Sequence, residues 1–142
     1  MTATTDRTAG DLTGDLAGDP AVGPTSAGAG TVELLFLGGW FTVCPLHLLE
    51  PGRGVAVLLP DGGQAALFLD RTGRVHAIGN VDPFTGAAVL SRGLLGSAAG
   101  RPYVASPLLK QRFDLGDGRC LDGDGVAVPV YPVRIVPPAP LA

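Results

Sequence analysis

Lysine is almost absent from this chain. Lys110 is the only one among 10 basic residues, against 13 acidic ones, and the net charge is −3 over 142 residues. The arginines are scattered singly. No basic stripe is present that could release phosphate counterions from a nucleic acid, and none that could hold an anionic membrane surface. Cysteine is nearly as scarce: Cys44 and Cys120 are the only two. Two cysteines make no disulfide scaffold, and a reducing, cytoplasmic setting follows as the simplest expectation. The N-terminus lacks a basic stretch followed by an apolar one, and no apolar run reaches membrane-spanning length.

Other absences exclude chemistry. There is no G-x-G-x-x-G and no G-x-x-x-x-G-K, so nucleotide phosphates have no cradle. Ser91 and Ser106 lie outside any G-x-S-x-G elbow, and neither His47 nor His76 has a nucleophile placed beside it. In the pairs Asp114/Asp117 and Asp122/Asp124, all but Asp114 stand next to a glycine, which marks turns before it marks paired-carboxylate catalysis. No catalytic residue is therefore expected. Sustained helical periodicity is also missing, which leaves an all-β chain.

What the chain has in quantity is breakers, 22 glycines and 13 prolines, set among 46 % apolar residues. That composition suits one domain of short strands and turns. Residues 1–30 hold almost nothing to bury and read as a disordered tail. Their Gly-Asp pairs at Gly10-Asp11, Gly14-Asp15 and Gly18-Asp19 fit neither an EF-hand nor a nonapeptide calcium repeat. The folded domain is expected over 31–136, with a second tail at 137–142.

Within it, Val32–Leu37 and Trp40–Cys44 read as strands joined at Gly38-Gly39. Val55–Leu59, Ala65–Leu69 and Arg74–Ile78 form an antiparallel meander, turning at Pro60-Asp61-Gly62-Gly63 and Asp70-Arg71-Thr72-Gly73. Phe113-Asp114-Leu115 turns into Arg119-Cys120-Leu121. Val126–Val136 alternates like a strand, but Pro129 and Pro132 confine it to an edge or a bulge.

Cys44-Pro45-Leu46-His47 spells C-x-x-H. A metal needs three or four ligands, and only His76 and Cys120 remain as candidates. A structural cysteine beside a loop histidine is the preferred reading. A metal-binding or electron-transfer protein using Cys44, His47, His76 and Cys120 is the alternative, and a β-sandwich interaction module of no special chemistry is a second one.

Two X-Pro loops stand out between Asn80 and Phe113: Asn80-Val81-Asp82-Pro83-Phe84 and Ser106-Pro107-Leu108-Leu109-Lys110-Gln111-Arg112-Phe113. Together with Val89-Leu90-Ser91-Arg92-Gly93 they resemble the frame of a Rieske iron–sulfur domain, in which C-x-H and C-x-x-H loops hold a two-iron cluster. More narrowly, the phrases Ala105–Leu115 and Pro129–Arg134 resemble the small-subunit family of NAD(P)H-dependent assimilatory nitrite reductase. The resemblance implies an antiparallel Rieske-like β-sandwich with a smaller loop-bearing subdomain. It places the cluster-ligand positions at Asp82, Phe84, Ser106 and Leu109. A Rieske centre takes two thiolates and two imidazoles, and these four side chains supply neither. No metal and no cofactor are therefore expected in this chain, with Phe84 and Leu109 closing the former site as an apolar plug.

The family resemblance further implies a large-subunit partner carrying FAD, sirohaem and an iron–sulfur cluster and reducing nitrite to ammonium. This chain would serve it as a non-catalytic accessory subunit, docking through the loop tips with Arg92, Lys110 and Arg112.

Overall fold

The computed structural model describes residues 29–138. The expectations for most of the two tails, and for the Gly-Asp pairs, lie outside the described residues. The all-β class is what the chain adopts. Among the described residues its ten strands are β1 Thr31–Phe36, β2 Gly39–Pro45, β3 Gly54–Leu58, β4 Gln64–Leu69, β5 Val75–Gly79, β6 Leu94–Ala98, β7 Arg101–Ala105, β8 Arg112–Asp114, β9 Val130–Tyr131 and β10 Val133–Val136. They form three antiparallel sheets, ordered β10-β1-β2, β3-β4-β5-β9 and β6-β7-β8. Among the described residues the helical pieces are two single 3₁₀ turns, Leu46–Leu48 and Leu90–Arg92, and no helix is long and apolar enough to cross a membrane.

The chain divides into two compact units. The smaller contains, among the described residues, 29–31, 44–47 and 135–138. In it the Leu46 N–H donates to the Gly30 carbonyl, 3.0 Å away. Gly30 (φ +104°) is pressed so close to the Val136 carbonyl that a Cβ would come within 2.8 Å of it. The larger unit holds residues 32–43 and 48–134.

In the larger unit the meander forms as its turn residues dictate. Gly62 and Gly73 both take positive φ, and Asp61 and Asp70 each accept a turn N–H through their own side chain. The β1–β2 turn is displaced by one residue from Gly38-Gly39: Leu37 (φ +51°) and Gly38 (φ +82°) take the left-handed positions. Two positive φ values in succession match the right-handed twist of the paired strands, and the exposed Leu37 accepts that strain. Ala99 and Gly100 repeat the device between β6 and β7, a hairpin that no turn motif in the sequence marks.

The segment expected as one strand over Val126–Val136 is instead split at Pro132 into β9 and β10, which lie in different sheets. Pro132 has no N–H to continue a ladder, but its carbonyl accepts from Leu35 N. Both pieces sit at sheet edges, as the prolines require. The core is built from Phe68, Ile78, Leu90, Val104, Phe113 and Leu115, all effectively sealed from solvent. Burial stabilises by roughly 1.5–3 kcal/mol for each large apolar side chain. Leu90 and Phe113 anchor the two loops to this core.

Candidate functional site

The two X-Pro loops share three matching hydrogen bonds. In the first, Asp82 N donates to Ala87 O, the Asp82 carbonyl accepts from Gly86 N, and Asp82 Oδ1 accepts from Phe84 N at 2.8 Å. In the second, Ser106 N donates to Gln111 O, the Ser106 carbonyl accepts from Lys110 N, and Ser106 Oγ accepts from Leu108 N at 3.3 Å. Each loop thus closes on its first residue at the same offsets of two, four and five. Each also needs a left-handed residue at the fourth position after it, supplied by Gly86 (φ +77°) and by Lys110 (φ +68°). Asp82 and Ser106 are both 0 % exposed, and Ser106 Oγ donates to Asp82 Oδ2 over 2.6 Å. Among the described residues, one buried side-chain hydrogen bond therefore joins the loops, at the two positions to which the resemblance assigned cysteine.

The expected apolar plug is not formed. Phe84 is 40 % and Leu109 is 55 % exposed. The buried join is the polar pair, because Asp82 and Ser106 satisfy each other and their own loops. Phe84 instead leans on Phe113, ring centroids 6.2 Å apart at 48°, and covers Gly123, where a Cβ would meet its ring at 3.4 Å. Leu108 and Leu109 project from the second tip, with Val81 and Leu121 also exposed.

The three cations expected at a docking face differ in their surroundings. Arg92 ends the 3₁₀ turn Leu90–Arg92, which buried Asn80 holds in place. The Asn80 carbonyl accepts from Leu90 N and its Oδ1 from Ser91 N, while its Nδ2 donates to Gln64. Arg92 and Lys110 are exposed. Arg112 is clamped: its backbone N, Nε and Nη2 all donate to Asp122, at 2.8, 3.1 and 2.7 Å. Its guanidinium also lies 5.4 Å from the Tyr103 ring centroid. The Arg112 hydrogen bonds hold the Asp122 carboxyl below its usual range. No local pattern announces this partner ten residues away.

The C-x-x-H residues Cys44 and His47 belong to the smaller unit and His76 and Cys120 to the larger. Burial raises the Cys44 thiol above its ordinary pKa. Cys120 packs in the apolar core, and His76 Nε2 is 2.8 Å from Asp70 Oδ2. Among the described residues no three His, Cys, Asp or Glu side chains gather as metal ligands. The sequence marks Asp70 only as a turn residue, yet it is the most heavily engaged carboxylate of the meander. Burial would raise its pKa, but hydrogen bonds from Thr72, His76 and the Arg74 and Thr72 amides outweigh it and hold the carboxyl well below the usual range.

Comparison with known proteins places this geometry. The profile of the Rieske-like [2Fe-2S] domain family matches residues 39–138. The nitrite reductase (NADH) small subunit of Salmonella typhimurium is 43 % identical over 97 residues, covering 68 % of this chain and 89 % of that one. The crystal structure of a Mycobacterium tuberculosis chain assigned as an NADH-dependent nitrite reductase small subunit superposes with a TM-score of 0.59 at 55 % identity, covering 65 % of this chain and 88 % of that one. A segment amounting to 10 % of the nitrite reductase [NAD(P)H] large subunit of Klebsiella oxytoca is 43 % identical over 97 residues, 68 % of this chain.

The family match corrects one expectation. The sequence pointed to a chain without a cofactor, on four side chains alone, whereas the frame over residues 39–138 is that of a [2Fe-2S] domain family. The backbone hydrogen bonds at offsets four and five in each loop do not depend on which side chains occupy the ligand positions. The positions to which the resemblance assigned the ligands are occupied by Asp82, Phe84, Ser106 and Leu109. Asp82 Oδ2 is engaged by Ser106, and Phe84 and Leu109 carry no donor atom for iron.

Proposed function

This chain belongs to the Rieske-like [2Fe-2S] domain family and to its nitrite reductase small subunits, and from that premise we propose that it is a non-catalytic accessory subunit of an NAD(P)H-dependent nitrite reductase. Its partner is the large subunit, which reduces nitrite to ammonium in the cytoplasm, and its contribution is assembly, stability or activation of that partner. The observation that carries this reading is the inside-out arrangement of the two loops. Their first residues are buried and bonded to each other, while the apolar tips Phe84, Leu108 and Leu109 face outward. A loop pair fixed from below and apolar above suits a docking edge.

Lys110 supports the same reading. It sits at positive φ, where the matching position of the first loop has glycine. A non-glycine residue there costs about 1–2 kcal/mol, a penalty that a charge at the tip justifies if it meets a partner. The Klebsiella relative supports the choice of partner, since a segment like this chain lies inside a large subunit there.

The docking face combines the loop tips with Arg92 and Lys110. Arg112 contributes from beneath through its clamp on Asp122. The test is co-purification of the large subunit with the intact chain, read beside nitrite reduction by the large subunit with and without it. Binding that R92E/K110E weakens, together with activity or stability gained on addition, is the expected result. A large subunit that neither binds the chain nor responds to it overturns the proposal, and unchanged binding by the double variant overturns the choice of face.

A further inference from the structure

A cleft of about 680 Å³ opens between the β4–β5 turn and the β6–β7 hairpin. One wall brings in Arg71, Arg74 and His76, and the other Leu94, Leu95 and Pro102. Its size falls within the range of small-ligand sites.

The charges in the cleft are not balanced locally. Its two carboxylates are already engaged. Asp70 Oδ1 accepts from the Thr72 amide and hydroxyl and from Arg74 N, and its Oδ2 is 2.8 Å from His76 Nε2. Asp114 Oδ1 accepts from Gly116 N and Asp117 N, while its Oδ2 takes Arg101 Nε at 2.8 Å. Arg101 is further tied to Asp117. Among the described residues, no carboxylate pairs with the side chains of Arg71 or Arg74. Arg71 lies across Gly52, where an added Cβ would come within 3.1 Å of its Nη2, so the backbone there leaves room for the guanidinium. An acidic protein thus presents, beside an apolar wall, two planar forks that no carboxylate among the described residues engages.

The geometry points to a binding site for a small organic oxyanion, a carboxylate or phosphate head held by Arg71 and Arg74 with its apolar body against Leu94, Leu95 and Pro102. Guanidinium forks match both head groups with two parallel hydrogen bonds. Nothing in this site depends on the docking face.

The probes are phenyl phosphate, benzoate and inorganic phosphate, titrated into the full chain and followed by amide NMR shifts. Saturable shifts at Arg71, Arg74, Gly96 and Ser97 are expected with phenyl phosphate or benzoate. Inorganic phosphate should bind more weakly, having no body to cover the apolar wall. R71Q/R74Q should weaken binding about tenfold or more, with an unchanged melting temperature and intact co-purification with the large subunit. Shifts that do not saturate, that fall elsewhere, or that persist at equal affinity in R71Q/R74Q overturn the site. Inorganic phosphate binding as tightly as phenyl phosphate overturns the apolar wall's part in it.

Discussion

Ser106 and Asp82, 24 residues apart in sequence, share a 2.6 Å hydrogen bond in which neither side chain reaches solvent. Removing the hydroxyl leaves a buried carboxylate oxygen without its donor. Ser106→Ala should cost about 1–3 kcal/mol of unfolding free energy. A double-mutant cycle with Asp82→Ala in urea unfolding checks it, and strictly additive effects would show that the bond does not hold the loops together.

Lys110 and Gly86 take the same left-handed conformation at corresponding places in the two loops. Lys110→Gly relieves a steric penalty and gains unfolded-state entropy in roughly equal measure, so stability should move by less than about 1 kcal/mol. Binding to the large subunit should nonetheless fall. Calorimetry on the chain and co-purification on the complex separate the two effects.

The meander, the X-Pro loops and the edge placement of the proline-broken strand were legible because each is written in neighbouring residues. Asp61-Gly62 and Asp70 through Gly73 announce their turns, and Pro132 announces where a ladder stops. The loops' interior chemistry was not legible. Phe84 and Leu109 read as an apolar plug, and no local pattern marked Asp82 and Ser106 as a buried pair until the fold joined them. The Arg71–Arg74 cleft stayed hidden for a similar reason, since its apolar wall comes from a hairpin that begins twenty positions after Arg74.

Asp70 gives the acid limb of stability a defined origin. Its carboxyl titrates below the unfolded value of 3.8, so its contribution is fully present above that range and is lost as pH falls through it toward the folded value. Melting temperature should therefore drop below about pH 5. Asp70→Asn, which keeps the turn-accepting oxygen, should lower stability at pH 7 and flatten that drop. An equally steep acid limb in the variant would assign it to other carboxylates.

Gly100 and Gly118 share nearly one φ, +79° and +78°, in different surroundings. A Cβ at Gly100 meets nothing within 4 Å, whereas at Gly118 it runs into the Val128 carbonyl. Gly100→Ala should cost about 1 kcal/mol from backbone strain alone. Gly118→Ala should cost about 2–5 kcal/mol, with overpacking added. Denaturant midpoints for the pair check the difference.

The clamp of Arg112 on Asp122, reinforced by Leu121 N donating to Arg112 O at 2.7 Å, leaves the second loop without a hinge of its own. The base of the loop is thereby bonded to the hairpin beneath it. Solvent deuterium should therefore reach the amides of Ser106, Lys110, Arg112 and Leu121 through one shared opening event, with a single free energy for the group. A partner that seats on the tip would slow exchange at all four together, including Leu121 on the hairpin beneath.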